Sequence, residues 1–227
     1  MKPSLSVLAA AALVFSPAVG LSPAAAQAVA ASPPSRGVVQ TVNSTALPRI
    51  TVRIDPALHY IGRGQGVAMQ ETARYERFLF GEVKDGKLLR AAIVHFEEMI
   101  PGKDGGAFNY PRFRMATVGG EEYLHQIWPM QENDVLDGED LRTLLSDRGI
   151  KAGGAWLVGR YARAVDAAKQ HEILIFYMES EEALGSSVEA LVPLWTKPLG
   201  PGIAGPKAQE LERGFIARQQ AAVSIMP

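Results

Sequence analysis

Two stretches of this chain carry ionisable side chains at the ends of otherwise apolar runs, and any chemistry has to start from them. In Lys87 to Ile100 the even positions Ala92, Val94 and Phe96 are apolar, while the odd positions run Ala91, Ile93, His95, Glu97. In Gln170 to Glu179, Leu174, Phe176 and Met178 alternate with Ile173, Ile175, Tyr177 and Glu179. Strand residues two apart share a face and lie about 7 Å apart. His95 and Glu97 therefore present an imidazole and a carboxylate to one ligand, an acid–base pair if burial raises the carboxyl's pKa. They are the candidate catalytic residues. Should the two strands be neighbours, Tyr177 and Glu179 would join them at the mouth of one pocket as ligand-binding residues. The competing reading makes His95 a hydrogen-bonded strand histidine and Glu97 a rim residue.

Arg77 alternates with Tyr75 and Leu79 and is a further ligand-binding candidate. It can hold an anion or pair with a carboxylate on the adjacent strand. Glu97-Glu98 must point to opposite faces, and with Pro101 close behind, the strand is expected to leave the core there.

Other chemistries lack their residues. There is no cysteine, which removes disulfides, thiolate metal sites and a cysteine nucleophile. His59, His95, His125 and His171 never fall at metal-binding spacing, so no metal and no cofactor is expected. Gly62-Arg63-Gly64-Gln65-Gly66 is not a dinucleotide fingerprint, because the Val67 to Arg74 stretch that follows is too short and ambiguous for the helix N-terminus required there, and it is expected to be a flexible loop. Gly185-Ser186-Ser187-Val188 lacks the second glycine of a nucleophile elbow, and no histidine follows it.

The elements that must position these residues are mainly strands. Tyr75 to Val83 and Lys87 to Ile100 flank Asp85-Gly86, a strong hairpin signal because both turn residues tolerate positive φ. Phe113 to Val118 and Tyr123 to Trp128 form a second hairpin over Gly119-Gly120. Arg49 to Ile54, Leu58 to Ile61, Ala155 to Val165 and Gln170 to Glu179 are further strands. Asp137 is placed to cap a helix whose Leu141, Leu144 and Leu145 share one face and which Gly149 stops. Ser187 to Leu194 is a short helical candidate, residues 198–206 an irregular crossing, and a last helix starts near Pro206, burying Leu211, Phe215 and Ala222. Strands following strands favour an α+β fold with a mainly antiparallel sheet over a parallel α/β one.

Composition bounds the rest. The chain has 227 residues, of which 47% are apolar and 21% charged, with a formal net charge of -1. Its cations are scattered, against the clustering that nucleic-acid binding needs. Met1-Lys2, the apolar run Leu5 to Phe15 and the small residues around Ala24-Ala25-Ala26 or Ala28-Val29-Ala30 have the three-part layout of a cleavable secretory signal. The expected organisation is a signal over residues 1–30, a flexible tether over 31–48 and one globular domain over 49–227, with no membrane span after cleavage. Ala-, Gly- and Arg-rich usage points to a bacterial protein, and export without a lipid-bearing cysteine to the periplasm, with full secretion as the alternative. The functional expectation is a non-catalytic binding module that meets a small molecule or an envelope protein. The alternatives are a small-molecule hydrolase or isomerase using His95 and Glu97, and a structural envelope protein.

Overall fold

The turn at Asp85-Gly86 organises the largest sheet. Both residues sit at positive φ, 51° and 74°, which gives the turn the twist that suits the flanking strands. The computed structural model describes residues 40–43, 50–110, 112, 114–130, 138–187, 191–192 and 206–226, all within one compact unit spanning Pro33–Pro227. Its strands are β1 (Gln40–Asn43), β2 (Thr51–Ile54), β3 (His59–Ala68), β4 (Ala73–Lys84), β5 (Lys87–Met99), β6 (Met115–Val118), β7 (Glu121–Met130), β8 (Trp156–Ala164), β9 (His171–Ser180) and β10 (Val223–Met226). The helices are α1 (Glu139–Ser146), α2 (Glu181–Leu184) and α3 (Pro206–Ala222).

The strands form a seven-stranded sheet in the order β3-β4-β5-β9-β8-β7-β6 and a three-stranded sheet in the order β1-β2-β10. Every pairing between these strands is antiparallel, which is the α+β architecture expected from strands that follow strands.

Strands β5, β8 and β9 are apolar on both sides, so both faces of the large sheet need cover. One face packs Ala92, Val94, Ile175 and Tyr177 against α3 and the small sheet, through Phe215, Val52, Ile54 and Val223. The other packs Ala91, Ile93, Val158 and Met178 against Leu141 and Leu145 of α1. Among the described residues no helix is long and apolar enough to cross a membrane.

Several local expectations are corrected. Gly62, Gly64 and Gly66 lie within β3 rather than in a loop. They alternate, so the stretch from Gly62 to Gly66 of this edge strand carries no side chains on one face, and the α1 residues Leu144 and Asp140 occupy the space that Cβ atoms at Gly62 and Gly64 would take. Within the stretch expected to be a tether, Gln40–Asn43 form β1, and Gln40 Nε2 donates to the Leu58 carbonyl oxygen at 2.5 Å. The fold therefore begins before Arg49. Strand β5 does not leave the core at Glu97. It stays buried to Met99, and Glu98 is satisfied instead by Arg74, at 2.8 and 3.1 Å.

Helix α1 starts with Gly138 at the N-cap and no side-chain cap, while Asp137 lies outside the described residues. Most of the Ser187 to Leu194 candidate and the 198–205 crossing also lie outside them. The short α2 and the strand β10, into which α3 runs directly, carry no signal that periodicity detects.

Helix α3 buries Ala208, Glu212, Phe215, Gln219 and Ala222, with Leu211 only partly buried. Its buried stripe thus holds two polar residues, and each has a partner on the large sheet's side: Arg114 meets Glu212 at 3.0 Å and His125 Nε2 meets Gln219 Oε1 at 2.9 Å. Gly159 on β8 makes room for this helix, because a Cβ there would stand 2.6 Å from Phe215 Cε1 and 2.8 Å from Gln219 Oε1. Both residues are fully buried and cannot swing away. Gly159→Ala should therefore destabilise the fold by about 1–3 kcal/mol, measured by urea denaturation. A loss below roughly 0.5 kcal/mol, the range of neutral surface changes, would show that α3 is not held at that spacing.

Candidate functional site

Antiparallel register decides which candidate residues meet. Tyr75 on β4 lies opposite Glu97 on β5, and Glu97 lies opposite Glu172 on β9. One row along, Arg77 faces His95, His95 faces Leu174, and Leu174 faces Ala162 on β8. In the next row Phe176 faces Arg160, which faces Gln126 on β7. Directly opposed residues project to the same side, so His95, Glu97, Glu172, Arg160 and Gln126 all belong to the α1 face. The predicted neighbours His95 and Glu97 do come together, with His95 Nε2 3.3 Å from Glu97 Oε2.

Tyr177 and Glu179 do not join them, which corrects the single-pocket expectation. Tyr177 faces Ala92 and packs on Phe215 across 5.3 Å on the α3 side. The strand period of two puts odd positions of β9 on the face opposite His95. There Tyr177 Oη donates to Glu179 Oε1 at 2.6 Å, and Arg218 donates to both Glu179 oxygens at 2.7 Å. Glu179 has no exposed surface at all, so this triad fastens α3 to the sheet. Beside it is a hollow of about 120 Å³ lined by Asp55, Leu58, Arg90, Tyr177, Arg218 and Ala222, among others.

Arg77 meets a carboxylate, though not on the adjacent strand. It pairs with Asp140 of α1, donating from Nε at 2.7 Å and from Nη2. Its guanidinium also lies 4.9 Å from the Tyr75 ring, which in turn stands 5.1 Å from His95. The bare face of β3 is what lets Asp140 reach this far, since it fills the Cβ space of Gly64. Burial acts to raise the Asp140 carboxyl, but the Arg77 guanidinium holds it below the usual carboxylate range.

At the far end of this face the carboxyls of Glu97 and Glu172 are hydrogen-bonded to each other. Both are almost fully buried, at 6% and 4% exposure. Tyr110, from the loop after β5, donates its hydroxyl to Glu172 Oε2 and packs over Leu124, Ala162 and Leu174. Burial, with the Glu97 hydrogen bond and charge, pushes the Glu172 carboxyl up to about 8 against the opposing effects of Tyr110 and Arg160. Burial would raise Glu97 as well, but the hydrogen bonds from His95 and Glu172 bring it below its ordinary value. Two carboxylates in contact cannot both ionise cheaply, so at neutral pH the pair keeps one proton, on Glu172.

Arg160 completes the group. Its Nη2 donates to Gln126 Oε1, and its guanidinium lies 5.6 Å from the centroid of the Trp128 ring. Burial lowers its pKa, opposed by the nearby Tyr110 and Glu172. Two buried nitrogens on this face, Arg160 Nε and Trp156 Nε1, have no hydrogen-bond partner among the described residues, while His95 Nε2 lies 3.3 Å from Glu97 Oε2. Among the described residues no three metal-ligating side chains gather into a cation site.

Glu172, Tyr110, Arg160 and Gln126 are absent from the sequence expectations. Glu172 had a signal, because it shares parity with the apolar Leu174, Phe176 and Met178. Tyr110 had none, since it lies in an irregular loop and reaches Glu172 only through the tertiary fold. No known protein family matches this chain, and no curated protein or solved structure does.

The carboxyl pair makes a test of stability against pH. Glu172 holds its proton in the folded state up to about pH 8, whereas an unfolded glutamic acid releases it near pH 4.3. A raised folded pKa contributes stability below the unfolded value, and that stability is lost as pH rises through the folded one. Glu172→Gln keeps a donor toward Glu97 and an acceptor for Tyr110, yet has no proton to lose. Its stability relative to the native protein should rise between pH 5 and pH 9 by roughly 2 kcal/mol, read from denaturation midpoints. A difference independent of pH would mean that the two carboxyls do not share a proton.

Proposed function

We propose that this chain is an exported ligand-binding protein of the periplasm, and that a small polar molecule binds at the polar end of the α1 face. One observation carries the reading: a proton-sharing carboxyl pair, a histidine and a guanidinium border one apolar floor, and the buried Nε of that guanidinium, on Arg160, has no partner among the described residues. Buried polar groups in folded proteins are nearly always hydrogen-bonded, and leaving one unmet costs about 1–3 kcal/mol. Donors left open around an apolar patch are the usual make-up of a small-molecule site.

A second reading, an acid–base enzyme such as a hydrolase or isomerase, is favoured by the opposite displacement of the two carboxyl pKa values. Environments that push paired titratable groups apart assign an acid and a base. In that case Glu172 holds the proton to be delivered, Glu97 is the base, and His95 orients Glu97.

Native mass spectrometry of protein purified from periplasmic extract tests the binding reading. The native protein should carry a low-mass adduct that a His95→Gln, Glu97→Gln double variant of equal melting temperature lacks. Slow conversion of that adduct by the native protein would select the enzymatic reading. Protein without any adduct, and with a melting temperature unmoved by a broad metabolite panel, would sink both.

A further inference from the structure

Resting on that reading, we infer that the ligand carries a carboxylate that docks on Arg160, with an uncharged polar group at its far end that meets His95. The argument starts from where Arg160 stands. It is a partly buried residue on β8, next to the central strand β9, and its one hydrogen-bond acceptor among the described residues is the uncharged amide oxygen of Gln126. Every other guanidinium on this face, that of Arg77, has a carboxylate against it. Guanidinium in a partly dry setting is strongly favoured when a carboxylate takes two of its parallel donors. Arg160 keeps its Nε free, the donor that a side-on carboxylate would use.

The charged and titratable groups that face Arg160 support an anion over a cation. From β9 comes Glu172, which keeps its proton at neutral pH, and from the loop after β5 comes Tyr110, whose hydroxyl is raised by burial and then by Glu172. From β5 come Glu97, the one ionised carboxyl of the pair, and His95; from β7 comes only the neutral Gln126. Arg77 and Asp140 at the α1 end neutralise each other. The single carboxylate among these groups that does not belong to a close ion pair with Arg is turned toward Glu172 and His95, leaving the guanidinium end of the basin positive.

Geometry sets the body of the ligand. His95 and Arg160 flank β9 on its two sides, paired with Leu174 and Phe176 respectively. Two strand spacings separate β5 from β8, about 10 Å. An apolar or aromatic body of that length would lie on the half-buried Phe176, beside the Tyr110 ring that covers Leu174, with a polar group at either end.

The test uses three probes with one body and different charge: 4-hydroxyphenylacetate, its primary amide, and tyramine. Binding is followed by calorimetry and by tryptophan fluorescence, since Trp128 lies against the Arg160 guanidinium. The carboxylate should bind at least tenfold more tightly than the amide, and tyramine should bind weakest. Arg160→Gln should remove the preference for carboxylate over amide. No variant is needed for a second arm. If the anion is held beside protonated Glu172, its affinity for the native protein should fall by up to about tenfold per pH unit above pH 8, and calorimetry in buffers of different ionisation enthalpy should show proton uptake on binding. Tyramine or the amide binding best, or carboxylate binding that is indifferent to Arg160→Gln and to pH, would overturn the assignment of an anion while leaving the basin as a binding site. Failure of all three probes at millimolar concentration would also overturn it, and the periplasmic adduct would then decide the basin alone.

Discussion

A sheet whose central strands are apolar on both sides must be covered twice, and the unequal supply of cover governs this structure. On one face α3 and the three-stranded sheet lie across β5, β9 and β8. On the other, the regular cover among the described residues is α1, eight residues long. Eight residues of helix extend about 12 Å, while the strands beneath it run ten to thirteen residues, or more than 30 Å. Among the described residues, the part of the face that α1 does not reach is covered by the Tyr110 loop and by polar side chains. The candidate site lies in that shortfall.

Close approach of the covering layers depends on missing side chains. Gly62, Gly64 and Gly66 lay bare one face of β3, and Asp140 and Leu144 take up the space. Gly159 does the same under Phe215 and Gln219 of α3. In each case a helix that carries polar residues on its inner side is drawn near enough for those groups to find partners on the sheet. Asp140 reaches Arg77, Gln219 reaches His125, and Arg218 reaches Glu179. A buried ion pair adds little net stability over apolar packing, but an unpaired member would cost several kcal/mol. Such pairs therefore act chiefly on position: they admit one register of each helix against the sheet. The carboxyl pair of Glu97 and Glu172 differs in kind. It meets its burial cost by retaining a proton, and the Arg160 Nε beside it has no hydrogen-bond partner in the described fold.

What could be read from the chain alone follows from how local each signal is. The Asp85-Gly86 hairpin, the Gly119-Gly120 hairpin, the helix stopped by Gly149 and the helix opened by Pro206 are written in neighbouring residues, and the structure has all of them. Period-two alternation also placed His95 and Glu97 on one face correctly, because parity within a strand needs no knowledge of its partner. The same rule misled where it was carried between strands. His95 and Tyr177 have the same parity in number, but β5 and β9 pair so that Ala92 stands opposite Tyr177, and the two faces exchange. The glycine run of β3 was misjudged for a related reason. Glycine opposes strand formation locally, and only the demand of α1 for close packing makes it the right residue there.

The sequence by itself determined the hairpins, the α+β class and the pairing of an imidazole with a carboxylate on one side of β5, all consequences of short-range sterics and alternation. Tertiary structure alone decided that Glu172 would become the partner of Glu97, that Tyr110 would lie over them and that Arg160 would be left without a carboxylate. The physical reason is that interstrand register and burial are collective properties: a one-residue slip of β9 would move Glu172 to the other face, and no neighbouring residue in the chain records which register is taken.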